Sequence, residues 1–180
     1  MIASTSTLRR SVCHSALAVA GVAVLCALYL VSPESPHLVL PEALRPIAIP
    51  AIAAIDVTTV LAATVVLAVV AMMRTLSYGI GAVLTLCLGA NLSNAAIQVW
   101  AADTPSALLP SGHLVAVVAL YGSAILVAAP RFRPVVAGLG FALVLGVAGA
   151  AAVVEPIGVY GLAASVVVAA IWWAVASALM

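Results

Sequence analysis

With 67% of its 180 residues hydrophobic and 6% charged, the chain lies far from the roughly 25% charge of an average soluble domain, which excludes a water-soluble globule and implies an integral membrane protein. Six arginines, no lysine and five acids give a formal net charge of +1. No basic face exists to hold a nucleic-acid backbone, so nucleic acid is excluded as a partner.

A helix needs roughly 20 mostly apolar residues to cross a hydrocarbon core, and six such runs follow one another. The first, at about 15–31, comes after Arg9, Arg10 and His14 and contains Cys26. It exceeds a typical signal-peptide core and no small-x-small site follows it, which predicts a retained anchor. A break with Glu34, His37, Glu42 and Arg45 leads to the second run, 47–73. Asp56 inside that run is costly in a membrane and therefore a functional candidate; if the helix begins near Ile55, Asp56 is instead its cap. The third run, 76–100, carries Asn91 and Asn94 about one turn apart, placed to bond between helices. The fourth, fifth and sixth runs, 114–129, 135–154 and 157–179, are separated by the short breaks 130–134 and 155–156.

The prediction is an all-α membrane domain: one six-helix bundle over residues 1–180, with no soluble domain and no internal repeat. Trp100, Trp172 and Trp173 are expected as interface anchors. Gly79, Gly81, Gly89, Gly138, Gly140, Gly146 and Gly149 allow close helix approach. Cys13, Cys26 and Cys87 lack CxxC spacing and read as small packing residues, with no metal site.

Cytoplasmic loops retain Arg and Lys. Arg9 and Arg10 precede the first run, Arg74 lies between the second and third, and Arg131 and Arg133 lie between the fourth and fifth. These positions share one side, whereas Glu34, Glu42, Asp103 and Glu155, with Arg45, share the other. Both termini are therefore expected in the cytoplasm of a plasma (inner) membrane protein, with the 101–113 break facing outward.

That break holds Pro110-Ser111-Gly112-His113. Gly112 lets an anion approach the backbone, Ser111 offers a hydroxyl and an N–H, and His113 opens the next helix, whose first amides favour negative charge. A histidine so placed can give a proton to a leaving oxygen. The same four residues also make an ordinary turn and helix start.

Six helices with Leu109-Pro110-Ser111-Gly112-His113 outside after the third, Gly89-Ala90-Asn91, and Pro130-Arg131-Phe132-Arg133-Pro134 after the fourth resemble the type 2 phosphatidic acid phosphatase superfamily of lipid phosphate phosphatases. The resemblance covers about 47–176 and implies three motifs. In the first, Lys, six residues and Arg-Pro grip phosphate; here Ile97 and Thr104 take those places, or Gln98 and Pro105 after a one-residue shift. The second, Pro-Ser-Gly-His, is complete and makes His113 a general acid. In the third, an Arg binds phosphate, a His attacks phosphorus and an Asp orients that His. Aligning Pro156 puts Ala148, Val154 and Gly158 in those places, and no histidine follows His113.

Phosphoryl transfer through a phosphohistidine is thereby lost in the family's usual form. The expectation is a degenerate, non-catalytic member with no cofactor. Its remnant site is His113 with Ser111, Gly112 and Gln98 as ligand-binding residues and Glu155 as a catalytic candidate. Its expected partners are membrane lipids, with a lipid or polyprenyl phosphate as ligand, or a larger envelope complex to which it is an accessory subunit. The alternative is an active lipid phosphatase with His113 as general acid and Glu155 or Asp103 as nucleophile or base.

Overall fold

The computed structural model describes residues 16–27, 41–76, 78–155 and 157–179. Arg9, Arg10, Cys13, His14, Glu34, His37 and Pro156 lie outside them. Among the described residues every regular element is a helix: α1 (Ala16–Ala27), α2 (Arg45–Ala53), α3 (Val57–Met73), α4 (Gly79–Trp100), α5 (Gly112–Val127), α6 (Arg133–Val154) and α7 (Val159–Ala178). Short 3₁₀ turns lie at Glu42–Leu44 and Ser106–Leu108. The runs are rich in Val and Ala, and in water Val favours strands. In hydrocarbon a single segment can pair its own N–H and C=O groups only as a helix, so the same residues fold as one.

Four helices are long and apolar enough to cross a membrane: α4, α5 taken together with the turn before it (Ser106–Val127), α6 and α7. The count becomes five if α2 and α3, bent by 57° where they meet, form one span. α1 is apolar but shorter.

The 47–73 run is therefore not continuous. It breaks at Ala54–Asp56, where Asp56 is extended (φ −84°, ψ 170°) and its carboxylate accepts from the Thr59 N–H at 2.6 Å. Asp56 is the N-cap of α3, satisfying an amide that the helix leaves unpaired. α4 starts at Gly79, later than the expected 76, because Thr75 (φ 49°) and Tyr78 (φ 62°) take left-handed conformations that cannot continue a helix. α5 starts at Gly112 rather than at residue 114, because Ser111 caps it.

α5 is the central helix. It packs against α3, α4, α6 and α7 and is the most enclosed of the spanning helices, while α6 is the least. One apolar cluster joins α2, α5 and α6 through Ile52, Leu114, Val117 and Ala151. A second joins α4, α5 and α7 through Leu86, Val115 and Val168.

The predicted glycines divide into two groups. A Cβ on Gly89 would strike the Trp172 ring, one on Gly140 the Tyr121 ring and one on Gly79 the Leu76 side chain, whereas Gly81, Gly138, Gly146 and Gly149 face open space. Trp172 accordingly packs on α4 at Gly89, and its Nε1 donates to Ser93 Oγ at 2.9 Å. Trp100, at the end of α4, is 89% exposed.

At the C-terminal end of α5, an Arg74 Nη1 N–H donates to the Val127 carbonyl. Arg74 thus sits at the same end of the bundle as the turn bearing Arg131 and Arg133. The Pro110–His113 corner lies at the other end of α5, about 24 Å away for 16 residues at 1.5 Å each.

Candidate functional site: a His–Glu pair over the α5 N-terminus

Three other helices hold the Pro110–His113 corner in place. From α4, Gln98 Nε2 donates to the Pro110 carbonyl at 3.3 Å. From α7, the Ser165 hydroxyl accepts the Ser111 N–H at 2.8 Å and itself donates to Gly161 C=O at 2.8 Å. From the end of α6, the Glu155 carboxylate takes His113 Nδ1 at 2.6 Å. Gly112 lies close against α4, since a Cβ there would stand 3.3 Å from Asn94 Nδ2, a tight contact. Gly161 lets α7 lie on the preceding turn, since its Cβ would meet the Leu109 carbonyl at 2.6 Å.

A helix leaves its first N–H groups unpaired. In α5, Ser111 Oγ accepts the Leu114 N–H at 3.4 Å, and the N–H of Ser111 itself is taken by Ser165. The N–H groups of Gly112 and His113 have no partner among the described residues. Two donors with the helix dipole behind them therefore remain at the start of α5.

A cleft of about 380 Å³ opens over this corner, lined by Asn94, Gln98, Ser106, Ser111, Gly112, His113, Glu155 and Ile157. Asn94 is 5% exposed, and its Oδ1 has no hydrogen-bond partner. Asn91 donates to the Cys87 carbonyl of its own helix at 2.8 Å. Among the described residues neither asparagine bonds between helices as the sequence suggested: Asn91 turns back on its own helix, and Asn94 Oδ1 is enclosed without a partner. Asp103 is exposed and does not line the cleft.

A second cavity, of about 290 Å³, lies between α3, α4 and α5 and shares Gly112 and His113 with the first. Its walls are Ile55, Val57, Val60, Leu61, Leu88 and Ala116, with Asp56, Thr64, Cys87 and Asn91. Its inner polar groups are already used: Thr64 Oγ1 donates to the Val60 carbonyl at 2.8 Å, and Cys87 Sγ lies 3.2 Å from Ser123 Oγ. The space they leave is apolar. His113 stands between the cleft that holds Gln98 and Glu155 and a cavity walled mainly by aliphatic side chains.

The chemistry of the pair follows from its geometry. An ionised carboxylate only accepts, so Nδ1 carries the proton shared with Glu155, and Nε2 is the ring nitrogen left for anything else. The side chains of His113 and Glu155 are 37% and 21% exposed. Among the described residues no arginine lines either cavity, and no group of three His, Cys, Asp or Glu side chains converges to hold a metal.

The structure thus brings His113, Glu155, Gln98, Ser111 and Gly112 to one cleft. Ser111 reaches it as a cap, with its Oγ taken by Leu114 and its N–H by Ser165 of α7. Sequence reasoning missed Ser165 and Gly161, which position the corner, and the open bonding capacity of Asn94. No family model, curated protein or solved structure matches the chain.

Proposed function

We propose that this protein binds a membrane amphiphile without turning it over, with the polar end in the cleft and the chain in the lateral cavity. The observation that carries this reading is that His113 and Gly112 wall both spaces, the cleft that also meets Gln98, Ser111 and Glu155 and the cavity walled by Val60, Leu61 and Leu88. The reading places the chain among six-span bundles like the type 2 phosphatidic acid phosphatases, with both termini cytoplasmic and the cleft on the outer face of a plasma membrane. Its support is the Pro110–His113 string at a helix start and the gathering of arginines at the opposite end of α5. The resemblance makes a lipid or polyprenyl phosphate the ligand class to test first.

Absence of turnover rests on the site's contents. Phosphoryl transfer needs a nucleophile and cations around the phosphoryl oxygens. No arginine lines the cleft, and the one histidine is engaged by a carboxylate.

That same pair favours a second reading, an active phosphatase. A carboxylate on Nδ1 orients the imidazole and leaves Nε2 free to act. Phosphate release from a panel of lipid and polyprenyl phosphates separates the two. We expect none from the wild type, His113→Ala or Glu155→Gln. Release by the wild type that disappears in His113→Ala overturns the non-catalytic reading.

A further inference from the structure

The turn between α5 and α6 carries positive charge that nothing in the protein neutralises. α5 ends at Val127 and α6 begins at Arg133, so only residues 128–132 separate two helices long and apolar enough to cross a membrane. So short a turn stays within the head-group layer of the bilayer. Its backbone is fixed, because the Ala129 carbonyl accepts the N–H groups of both Phe132 and Arg133, at 2.8 and 3.1 Å. Arg131 and Arg133 are exposed on this turn, and Arg74 comes to the same end of α5 by donating to the Val127 carbonyl.

None of these three arginines has an acidic partner; among the described residues the one ion pair is between His113 and Glu155. Asp56 and Glu155 line the spaces at the other end of α5, and Asp103 follows the far end of α4. The Arg131 guanidinium lies 4.7 Å from the centre of the Phe132 ring, and Phe132 is 52% exposed. Stacking occupies the face of a guanidinium and leaves the N–H groups at its edge free for a bidentate bond to phosphate oxygens.

We propose that Arg131 and Arg133 bind the phosphate of an anionic phospholipid, drawn from the exchanging lipid around the protein, in preference to a zwitterionic one. A zwitterionic head group brings its own cation to the phosphate, whereas an anionic one leaves the phosphate charge to the arginines. Each basic side chain close to an anionic membrane surface is worth about fivefold, and two together about 25-fold. The site stands at the opposite end of α5 from the cleft and is independent of what the cleft binds.

The test is photolabelling of the full-length protein in phosphatidylcholine vesicles that carry a trace of photoreactive phosphatidylglycerol or of its phosphatidylcholine counterpart. The two probes have identical chains and the reactive group beside the glycerol, and label on residues 128–136 is counted by mass spectrometry of a digest. Phosphatidylglycerol should label this segment at least about tenfold more than phosphatidylcholine. The ratio should fall close to one in the Arg131→Gln/Arg133→Gln double variant, which keeps the helix packing because both side chains are exposed. Arg45→Gln, a charge removed away from the turn, should leave the ratio unchanged. Equal labelling of the wild type by the two lipids, or an undiminished ratio in the double variant, overturns the inference. A comparable loss in Arg45→Gln assigns the preference to net charge and overturns it as well. Displacement of the lipid label by excess glycerol phosphate makes a soluble phosphate the occupant and overturns the lipid.

Discussion

The buried N–H of Ser111 has one partner, the Ser165 hydroxyl 54 positions away in sequence. Ser165→Ala strands that N–H and removes the tie from Ser165 to Gly161, and a buried donor left unpaired costs about 1–3 kcal/mol. We expect a lowered unfolding midpoint in detergent; an unchanged midpoint would show that the tie holds nothing. The contrast between Ser111 and Ser165 marks how far single residues could be read. Pro110-Ser111-Gly112-His113 stood out because four polar or turn-forming residues interrupt apolar runs. Ser165 lies in an Ala- and Val-rich run, where a serine is indistinguishable from any small packing residue until folding brings α7 against Ser111. Glu155 was legible as a carboxylate near the site. Its partnership with His113 was not, since nothing local joins residues 42 positions apart. Asn94 was read as a bond between helices, and its enclosed, unpaired oxygen emerges only once the helices are packed.

At the scale of elements, the helices were legible because lipid leaves an apolar run of about 20 residues one regular conformation. Their ends depended on single side chains. Ser111 moves the start of α5 to Gly112, and left-handed Tyr78 delays α4 to Gly79. The break between α2 and α3 is hidden in a run that is apolar throughout except at Asp56, and Asp56 was itself the signal, as an N-cap. The element that orders the molecule is α5, with the cleft at its N-terminal end and Arg74 on its C-terminal carbonyl. If the arginine end is cytoplasmic, single cysteines placed in a variant lacking Cys13, Cys26 and Cys87 should divide accordingly. Asp103→Cys should react with an impermeant thiol reagent only from outside, and Phe132→Cys only from the cytoplasmic side. The reverse pattern would invert the orientation and put the cleft inside.

For the molecule as a whole, the site is a junction of elements rather than a loop carried on a scaffold. α4 supplies Asn94 and Gln98, α5 its amides and His113, α6 its terminal Glu155, and α3 the outer wall of the lateral cavity. α7 contributes by holding Ser111 in place. α3 lines the lateral cavity and not the cleft, so a substitution on α3 that fills the cavity leaves the polar groups of the cleft in place. Leu61, half-exposed on α3 and lining that cavity, is the residue to enlarge. The most direct measurement of the account is the mass of lipid retained by the purified protein, wild type against Leu61→Trp, by native mass spectrometry. The account predicts one bound amphiphile per wild-type chain and its loss in Leu61→Trp with folding unchanged. Equal retention by both, or none by the wild type, would contradict it.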